Sequence, residues 1–382
     1  MKFWKRALCL GLGALLAASA LPVAAGALSE EDLTAPSAVL MEASTGKVLF
    51  EKNSHEVRAC ASITKVMTLL LVMEAIDQGR MSLTDTITAS EHASSMGGSD
   101  IWLEPGETMS ADDMVKATVV ASANDAAVAL AEHLEGTEEA FVQKMNQRAA
   151  ELGMKDTVFK NCNGLDEEGH VTSAYDVALM SRELIKHEKI FDYTTIWMDT
   201  LREGKTQIVN TNKLLKSYNG ITGLKTGTTG GAGSCITATA QRDGLSLIGV
   251  VLGSATGKER FTDAAALLDY GFSNYMIYTP GLPEEALQPV PVVNGMQSQV
   301  AVESAASGSV LLTKGREKDL KTEVKLSELV EAPVAKGQQL GKIVYTLDGE
   351  VLTEYPIIAA GDVEQISFFS ALGILARELL RL

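Results

Sequence analysis

A long block of helical patterns separates two groups of β-strand patterns. The segment from Ala35 predicts two strands joined by the turn "STGK". Apolar periodicity then predicts helices, from "SITKVMTLLLVMEAI" at Ser62–Ile76 to "SAYDVALMSRELIK". From about residue 220 β-branched residues alternate, and the dipeptide Asp243–Gly244 indicates a hairpin turn. Helices placed between early and late strands predict an α/β layered domain.

The first 27 residues form a leader rather than part of the fold. The basic segment "MKFWKR" precedes the apolar run "ALCLGLGALLAASALPVAA", and small residues follow. This order predicts a signal peptide over residues 1–27, with cleavage after Ala25 or Ala27. An uncleaved N-terminal anchor is the alternative. The signal peptide predicts an exported protein.

Composition limits the classes of partner and cofactor. The chain has 33 basic and 49 acidic residues and a formal net charge of −16, which argues against nucleic acid as a partner. Cys9 leaves with the leader, and the remaining Cys60, Cys162 and Cys235 are an odd number and widely spaced. We therefore expect Cys60 to be a free thiol rather than paired with Cys235. No metal-binding cysteine or histidine pattern is present, so we predict no metal and no cofactor.

The C-terminal third predicts a separate β-domain and a helix. Residues 28–276 form the first domain, and the proline-containing "TPGLPEEALQP" that follows is a linker. Short strand patterns over residues 285–360 predict a small all-β domain. Residues 363–382 predict an amphipathic helix that lies on a membrane surface, with docking on the β-domain or a partner as the alternative. Its apolar face contains Phe368, Phe369, Leu372, Leu375, Leu379 and Leu382.

Ser62 and Lys65 form a Ser-x-x-Lys pair at the start of the most apolar helix. Residues three apart lie on the same side of a helix. Apolar surroundings lower the pKa of a lysine, and a neutral amine beside a hydroxyl can take its proton and activate the serine. The alternative is a lysine that extends its ammonium to water. The pattern is weak alone, because Ser44 to Lys47 matches it on a hairpin turn.

A Ser-x-Asn pair, Ser122 and Asn124, lies between two predicted helices. A loop there could present both polar groups to a cleft. The alternative is an N-cap for the helix that begins near Asp125. A second match at Ser217–Asn219 lies only eight residues before Lys225, too close for a separate motif.

Lys225, Thr226 and Gly227 form a Lys-Thr-Gly sequence at the start of a predicted strand. A lysine and a hydroxyl on a strand edge can bind a carboxylate, and the glycine lets the backbone approach a substrate closely. The alternative is a solvated lysine on a surface strand.

Ser-x-x-Lys, Ser-x-Asn and Lys-Thr-Gly, in this order and 60 and 103 residues apart, resemble the signature of penicillin-binding proteins and serine β-lactamases. "GGSDIWLEPGE", "NCNGLDEEGHVTSAYDVA" and "GKERFTDAAALLDYGF" extend the resemblance to low-molecular-mass penicillin-binding proteins of the peptidase S11 family, which are serine-type D-Ala-D-Ala carboxypeptidases. The resemblance implies a serine β-lactamase/transpeptidase-like fold, a five-stranded antiparallel sheet flanked by helices. It also fits the trailing β-domain and the terminal amphipathic helix.

The resemblance also implies a role for each motif residue. Ser62 resembles the acylated nucleophile and Lys65 its general base, while Ser122 would pass a proton to the leaving D-alanine. The oxyanion hole would be formed by the backbone N–H groups of Ser62 and Thr228. The implied substrate-binding residues are Asn124, Lys225, Thr226, Gly227, Thr228 and Arg260.

The implied function is removal of the terminal D-alanine from peptidoglycan stem pentapeptides at the outer face of the cytoplasmic membrane or in the cell wall, with acylation by β-lactams. D,D-endopeptidase or transpeptidase activity remains an alternative, because these reactions share the acyl-enzyme. A class A β-lactamase would need a Glu-x-x-x-Asn segment between the second and third motifs, and we find none. A non-catalytic β-lactam-binding cell-wall protein would not need all the motif residues.

Overall fold

The described residues, 27–304 and 308–380 of a computed structural model, divide into two units. The first contains the described residues up to Arg242 together with Ser246–Asn274. The second contains Asp243–Leu245 and the described residues from Tyr275 onward. Except for Ala27, the predicted signal peptide lies outside the described residues, as does Leu382 of the predicted apolar face.

The described residues follow the predicted outline of early strands, helices and late strands, but four short strands that the sequence did not predict lie within the helical block, over residues 86–88, 108–110, 198–201 and 206–209. The helices are α1 (Lys65–Asp77), α2 (Glu91–Ser94), α3 (Ala111–Lys116), α4 (Asn124–Glu135), α5 (Glu138–Glu151), α6 (Ala174–Leu184), α7 (Phe191–Thr194), α8 (Leu214–Ser217), α9 (Gly257–Asn274) and α10 (Phe368–Leu379). The strands are β1 (Ser37–Glu42), β2 (Val48–Lys52), β3 (Thr86–Thr88), β4 (Thr108–Ser110), β5 (Met198–Leu201), β6 (Thr206–Val209), β7 (Ile221–Thr229), β8 (Gly233–Arg242), β9 (Leu245–Ser254), β10 (Tyr275–Tyr278), β11 (Val290–Val293), β12 (Gln299–Val300), β13 (Val302–Ser304), β14 (Val310–Thr313), β15 (Lys321–Leu326), β16 (Val330–Glu331), β17 (Gln339–Leu347) and β18 (Glu350–Ala359).

A five-stranded sheet organises the first unit. Its strand order is β2-β1-β9-β8-β7, and the pairs β1–β2, β1–β9 and β7–β8 are antiparallel. Strand β1 is wholly buried, as are most residues of β8 and β9, because helices cover the sheet. Asp243 and Gly244 both have positive φ, as the predicted hairpin turn requires. The predicted fold class is confirmed, and β7 lies at an edge of the sheet.

Helix α1 lies in the core of this unit. It packs against α4 and α6, and its residues are buried on nearly every side. A helix that is apolar all round has to be buried on all sides, which accounts for the unbroken apolar run. The predicted start at Ser62 is a 3₁₀ turn over Ala61–Thr64, and α-helical geometry begins at Lys65.

The second unit is built from β-strands, as predicted, but it begins before the predicted linker. A four-stranded sheet has the order β13-β18-β17-β15, and β10 pairs with β14 in a separate ribbon. The sequence "YMIY" of β10 directly follows α9. A four-residue apolar run does not distinguish a strand from a helix end, so the sequence pattern could not assign it.

The C-terminal helix is shorter than predicted. It begins at Phe368 rather than Val363, because the preceding residues are bonded into the β-domain. Val363 is buried and exchanges two backbone hydrogen bonds with Val334, and the Ile366 N–H donates to the Asn294 carbonyl. Across residues 27–304 and 308–380, no helix combines the length and apolar character needed to cross a bilayer.

Candidate active site

Ser62 lies in the 3₁₀ turn that leads into α1. The residue before it, Ala61, has a φ of 51°, a left-handed conformation that is uncommon for a residue other than glycine. Such strain is frequent at functional sites. The Lys65 ammonium donates to Ser62 Oγ at 3.0 Å, so the two residues are paired as the i, i+3 spacing predicts.

Lys65 is 0% exposed, which excludes a side chain extended to water. Its Nζ also donates to Asn124 Oδ1 at 2.5 Å and to the Asn163 carbonyl at 2.7 Å. Burial lowers the pKa of Lys65 to about 7, although the negative charges around it, those of Asp100 and Asp125 among them, partly oppose the shift. The amine can therefore be neutral at ordinary pH while two acceptors hold its position.

Ser122 and Asn124 join a π-helical turn to α4. Residues Ala117–Ala121 are π-helical, and Ser122 ends the turn with a left-handed φ of 62°. Asn124 is the first residue of α4, so the Ser-x-Asn pair is not the N-cap that was the alternative. The Asn124 side chain accepts from Lys65 and donates to the Gly97 carbonyl at 2.6 Å, which fixes the orientation of its amide.

Lys225 extends from β7 toward the second motif. It is 1% exposed, which contradicts a solvated surface lysine, and its Nζ donates to Ser122 Oγ at 2.8 Å. Burial, followed by the positive charges of Lys65 and Arg260, lowers the pKa of Lys225 well below its usual value. The three motifs thus meet at one place, where Lys65 and Lys225 are close enough to repel each other.

Thr226, Thr228 and Arg260 form a polar group on β7 and α9. The Arg260 guanidinium donates to Thr228 Oγ1 at 2.7 Å and to the Gly227 carbonyl at 2.9 Å. Thr226 Oγ1 donates to Thr211 Oγ1 at 2.6 Å. Thr211 was not among the predicted site residues. Cationic and hydroxyl groups collected in this way can bind a carboxylate.

Gly227 allows β7 to pass directly beside the nucleophile. A Cβ at this position would lie 2.8 Å from the Cys60 carbonyl oxygen and 2.9 Å from the Ser62 backbone nitrogen. Both are backbone atoms that cannot move aside cheaply. The close approach seen here is to the backbone of the nucleophile turn, and the predicted close approach to a substrate stays a prediction.

The predicted features that remain are the cysteines, the second Ser-x-x-Lys match and the expected absence of a metal site. Cys60, Cys162 and Cys235 are free and buried, as predicted for Cys60, and burial raises the pKa of the Cys60 thiol to about 12. Ser44, on a hairpin turn, bonds to Glu42 rather than to Lys47. In the described part of the chain no cluster of three or more metal-ligating side chains is found.

Residues 24–256 match the family described as D-alanyl-D-alanine carboxypeptidase. The chain belongs to the D-alanyl-D-alanine carboxypeptidase family. Residues 281–365 match a second family, the penicillin-binding protein 5 C-terminal domain. The family assignment agrees with the order of the three motifs and with the enzyme class that the resemblance implied.

Individual members of the D-alanyl-D-alanine carboxypeptidase family match most of the chain. D-alanyl-D-alanine carboxypeptidase DacF of Bacillus subtilis is 47% identical over 342 residues, which cover 88% of each chain. The crystal structure of penicillin-binding protein 5 from Haemophilus influenzae is similar with a TM-score of 0.76 and 30% identity, covering 89% of this chain and 100% of that one. Penicillin-binding protein D2 from Listeria monocytogenes in the ampicillin-bound form has a TM-score of 0.58 and 34% identity, covering 63% of this chain and 98% of that one.

Proposed function

We propose that this carboxypeptidase acts through Ser62, which would attack the carbonyl carbon between the two D-alanines and become acylated. The observation that carries the proposal is the wholly buried Lys65 amine, 3.0 Å from Ser62 Oγ, with its pKa lowered to about 7. A neutral Lys65 can donate to Asn124 Oδ1 and to the Asn163 carbonyl, which leaves its lone pair for the Ser62 proton. Lys65 would therefore be the general base.

The terminal carboxylate of the substrate would bind between β7 and α9. Lys225, Thr226, Thr228 and Arg260 offer two cationic groups and two hydroxyls there. In the free protein the positive charges oppose one another, since Lys65 and Arg260 lower the pKa of Lys225. A bound carboxylate would relieve this repulsion, so the site favours a peptide with a free C-terminal carboxylate over an amide.

The leaving D-alanine would receive its proton through Ser122. As the tetrahedral intermediate collapses, its C–N bond breaks and the nitrogen needs a proton. Ser122 Oγ accepts a hydrogen bond from Lys225 Nζ at 2.8 Å, so the hydroxyl can give its proton to the nitrogen while the Lys225 ammonium returns one to Ser122 Oγ. Because Lys65 has taken the proton of Ser62, the two lysines together hold as many protons after this step as before the attack. Asn124 would hold the amine of Lys65 and the substrate backbone, and the N–H groups of Ser62 and Thr228 would form the oxyanion hole. Water would then hydrolyse the acyl-enzyme.

β-Lactams would acylate the same serine. The ampicillin-bound Listeria protein supports this step, because its structure is similar to that of this chain. The leaving nitrogen of an opened lactam remains tethered, and no glutamate of a class A β-lactamase type was found in the sequence. We therefore expect a long-lived penicilloyl-enzyme. Endopeptidase or transpeptidase activity would use the same acyl-enzyme with a different leaving group or acceptor.

We also propose an exported protein with residues 28–276 as the catalytic domain, residues 285–360 as the β-domain and a membrane-surface helix at the C-terminus. The leader pattern supports export. Helix α10 exposes an apolar face, with Phe369 82% and Leu379 72% exposed. Exposed apolar surface of this extent is typical of a binding face, and a short amphipathic helix fits the plane of a bilayer interface. The lipid surface would lie outside the cytoplasm.

One assay tests the proposed reaction. D-Alanine release from an acyl-L-Lys-D-Ala-D-Ala peptide should be measured beside penicillin hydrolysis, for the wild type and for Ser62→Ala. We expect release by the wild type, slow penicillin turnover and neither activity in Ser62→Ala. Fast penicillin turnover would favour a β-lactamase, and release by Ser62→Ala would exclude the acyl-enzyme at this serine.

A further inference from the structure

Trp102 exposes a large apolar side chain close to the residues of the candidate active site. Its exposed fraction is 79%, and the residues that precede it in the chain contact Asn124. The Asn124 backbone N–H donates to the Ser99 carbonyl at 2.6 Å, and its side-chain amide donates to the Gly97 carbonyl. An exposed indole gains little stabilisation from burial, so the exposure of Trp102 calls for an explanation.

The backbone around Trp102 is held rigidly in an unfavourable conformation. Trp102 has a φ of 57°, which is an outlier for a bulky residue. The buried Asp125 carboxylate accepts from the N–H groups on either side, at Ile101 and Leu103. The Arg202 guanidinium donates to the Ile101 and Trp102 carbonyls. Such over-determined strain is typical of ligand-binding segments.

Carboxylates stand on either side of Trp102 in the chain. Burial alternates along this segment: Ile101 and Leu103 are buried, whereas Asp100 and Glu104 are, like Trp102, at least partly exposed. The positive charge of Arg202 is already paired with Glu107 at 2.7 Å. Asp100 and Glu104, for which no salt bridge is found among the described residues, therefore place two carboxylates two residues before and two residues after Trp102.

Asp100 has unused hydrogen-bonding capacity. Its Oδ1 atom is buried and has no hydrogen-bond partner among the described residues. The charges of Asp100 and Lys65 interact, so this carboxylate lies in the neighbourhood of the candidate general base. A buried acceptor without a partner is costly, and a ligand that donates a hydrogen bond would satisfy it.

We propose that Trp102, together with Asp100 and Glu104, binds the side-chain ammonium of the diamino acid that precedes D-Ala-D-Ala in the stem peptide. The inference rests on the proposed function, since the two D-alanines must lie at Ser62 for the preceding residue to reach this segment. An ammonium is attracted to the face of an indole, and carboxylates strengthen this attraction. Trp102 thereby selects substrates whose diamino acid still has a free amine.

Two tripeptides test the proposal: acyl-L-Lys-D-Ala-D-Ala with a free side-chain amine, and the same peptide with that amine acetylated. For the wild type we expect kcat/KM for D-alanine release to be about three- to thirty-fold higher with the free amine. In Trp102→Leu this ratio should fall to about one, whereas Trp102→Phe, which keeps an aromatic face, should retain part of it. Asp100→Asn should lower the ratio without abolishing it. Trp197→Leu, which removes the other indole of the described residues, is the matched control and should keep the wild-type ratio.

Binding without turnover separates this proposal from the proposed function. In protein that lacks the leader and has both Ser62→Ala and Trp197→Phe, the indole emission comes from Trp102 and can be titrated with each tripeptide. Preferential binding of the free amine supports the subsite even if no D-alanine release is ever found. Equal binding of the two peptides overturns it, as does a wild-type preference that persists in Trp102→Leu. Tighter binding of a disaccharide-linked peptide regardless of acetylation would assign Trp102 to a sugar instead.

Discussion

Lys65 and Lys225 lie so near each other that the charge of Lys65 lowers the pKa of Lys225. Both are buried, one on α1 and the other on β7, and neither is joined to an acidic side chain in a salt bridge in the described residues. Two buried amines without ion-pair partners destabilise a fold unless they lose protons or gain an anion. The site therefore favours a neutral base at Lys65 and a bound carboxylate at Lys225.

Lys65→Arg should abolish acylation although it keeps the charge. A guanidinium does not release its proton near neutral pH, so it cannot act as the base, and it is too wide for the three contacts of the amine. We expect no labelling by a fluorescent penicillin and no D-alanine release. A thermal unfolding transition near that of the wild type would show that the variant is folded. Robust activity in this variant would rule out Lys65 as the base.

The pH dependence should follow Lys65. Because its pKa is about 7 and the neutral form is the active one, kcat/KM should rise about tenfold per pH unit below 7 and level off above it. The rate of acylation by penicillin should show the same rise, since the penicillin carboxylate does not titrate in this range. An inflection near pH 10 instead, or a flat profile from about pH 5 to 9, would contradict a lowered pKa for Lys65.

Thr211 should act on substrate binding through Thr226. The Thr226 hydroxyl donates to Thr211 in the free protein, and it could turn to a substrate carboxylate while Thr211 donates to it. Thr211→Val removes this partner, so we expect KM to rise about two- to ten-fold with kcat little changed. Thr211→Ser should restore the KM. A fall in kcat alone, with KM unchanged, would be inconsistent with this role.

Gly227→Ala should separate the nucleophile from β7. The added Cβ would meet backbone atoms of Cys60 and Ser62 at 2.8 and 2.9 Å, so the strand or the 3₁₀ turn has to shift. A displacement of this kind is expected to slow penicillin acylation by about a hundredfold. Gly230→Ala is the matched control, because a Cβ there meets no atom within 4 Å. Equal rates for the two variants would show that the close approach is not needed.

Local spacing was sufficient to predict the contact between Ser62 and Lys65. The two residues are three apart where the 3₁₀ turn leads into α1, and the family resemblance of the three ordered motifs indicated the other site residues, whose roles stay predictions. The sequence did not predict Thr211, which contacts Thr226 from a segment without a motif. It did not predict Asn163 either, because its contact with Lys65 joins residues that lie far apart in the chain. Nor could it show that Ala61 and Ser122 adopt left-handed conformations, since neither residue type favours them. Such features are imposed by tertiary packing.

Removal of α10 should release the protein from the membrane, and the structure determines where to cut. The deletion should begin at Phe368 and not at Val363, because Val363 is buried and bonded to Val334 in the β-domain. We expect the truncated protein, with its leader removed, to move from the membrane fraction to the soluble fraction. Its D-alanine release from a soluble tripeptide should match that of the full chain.

A second variant separates loss of the apolar face from loss of the helix. Replacement of Phe368, Phe369, Leu372 and Leu375 by serine removes four of the six exposed large apolar side chains of α10 but not its backbone. If the helix lies in the bilayer interface, this variant should also become soluble, since each buried apolar side chain contributes about 1.5–3 kcal/mol to partitioning. Unchanged membrane association of both variants would indicate another anchor. Association that needs a protein partner would survive in whole membranes but not in vesicles of pure lipid.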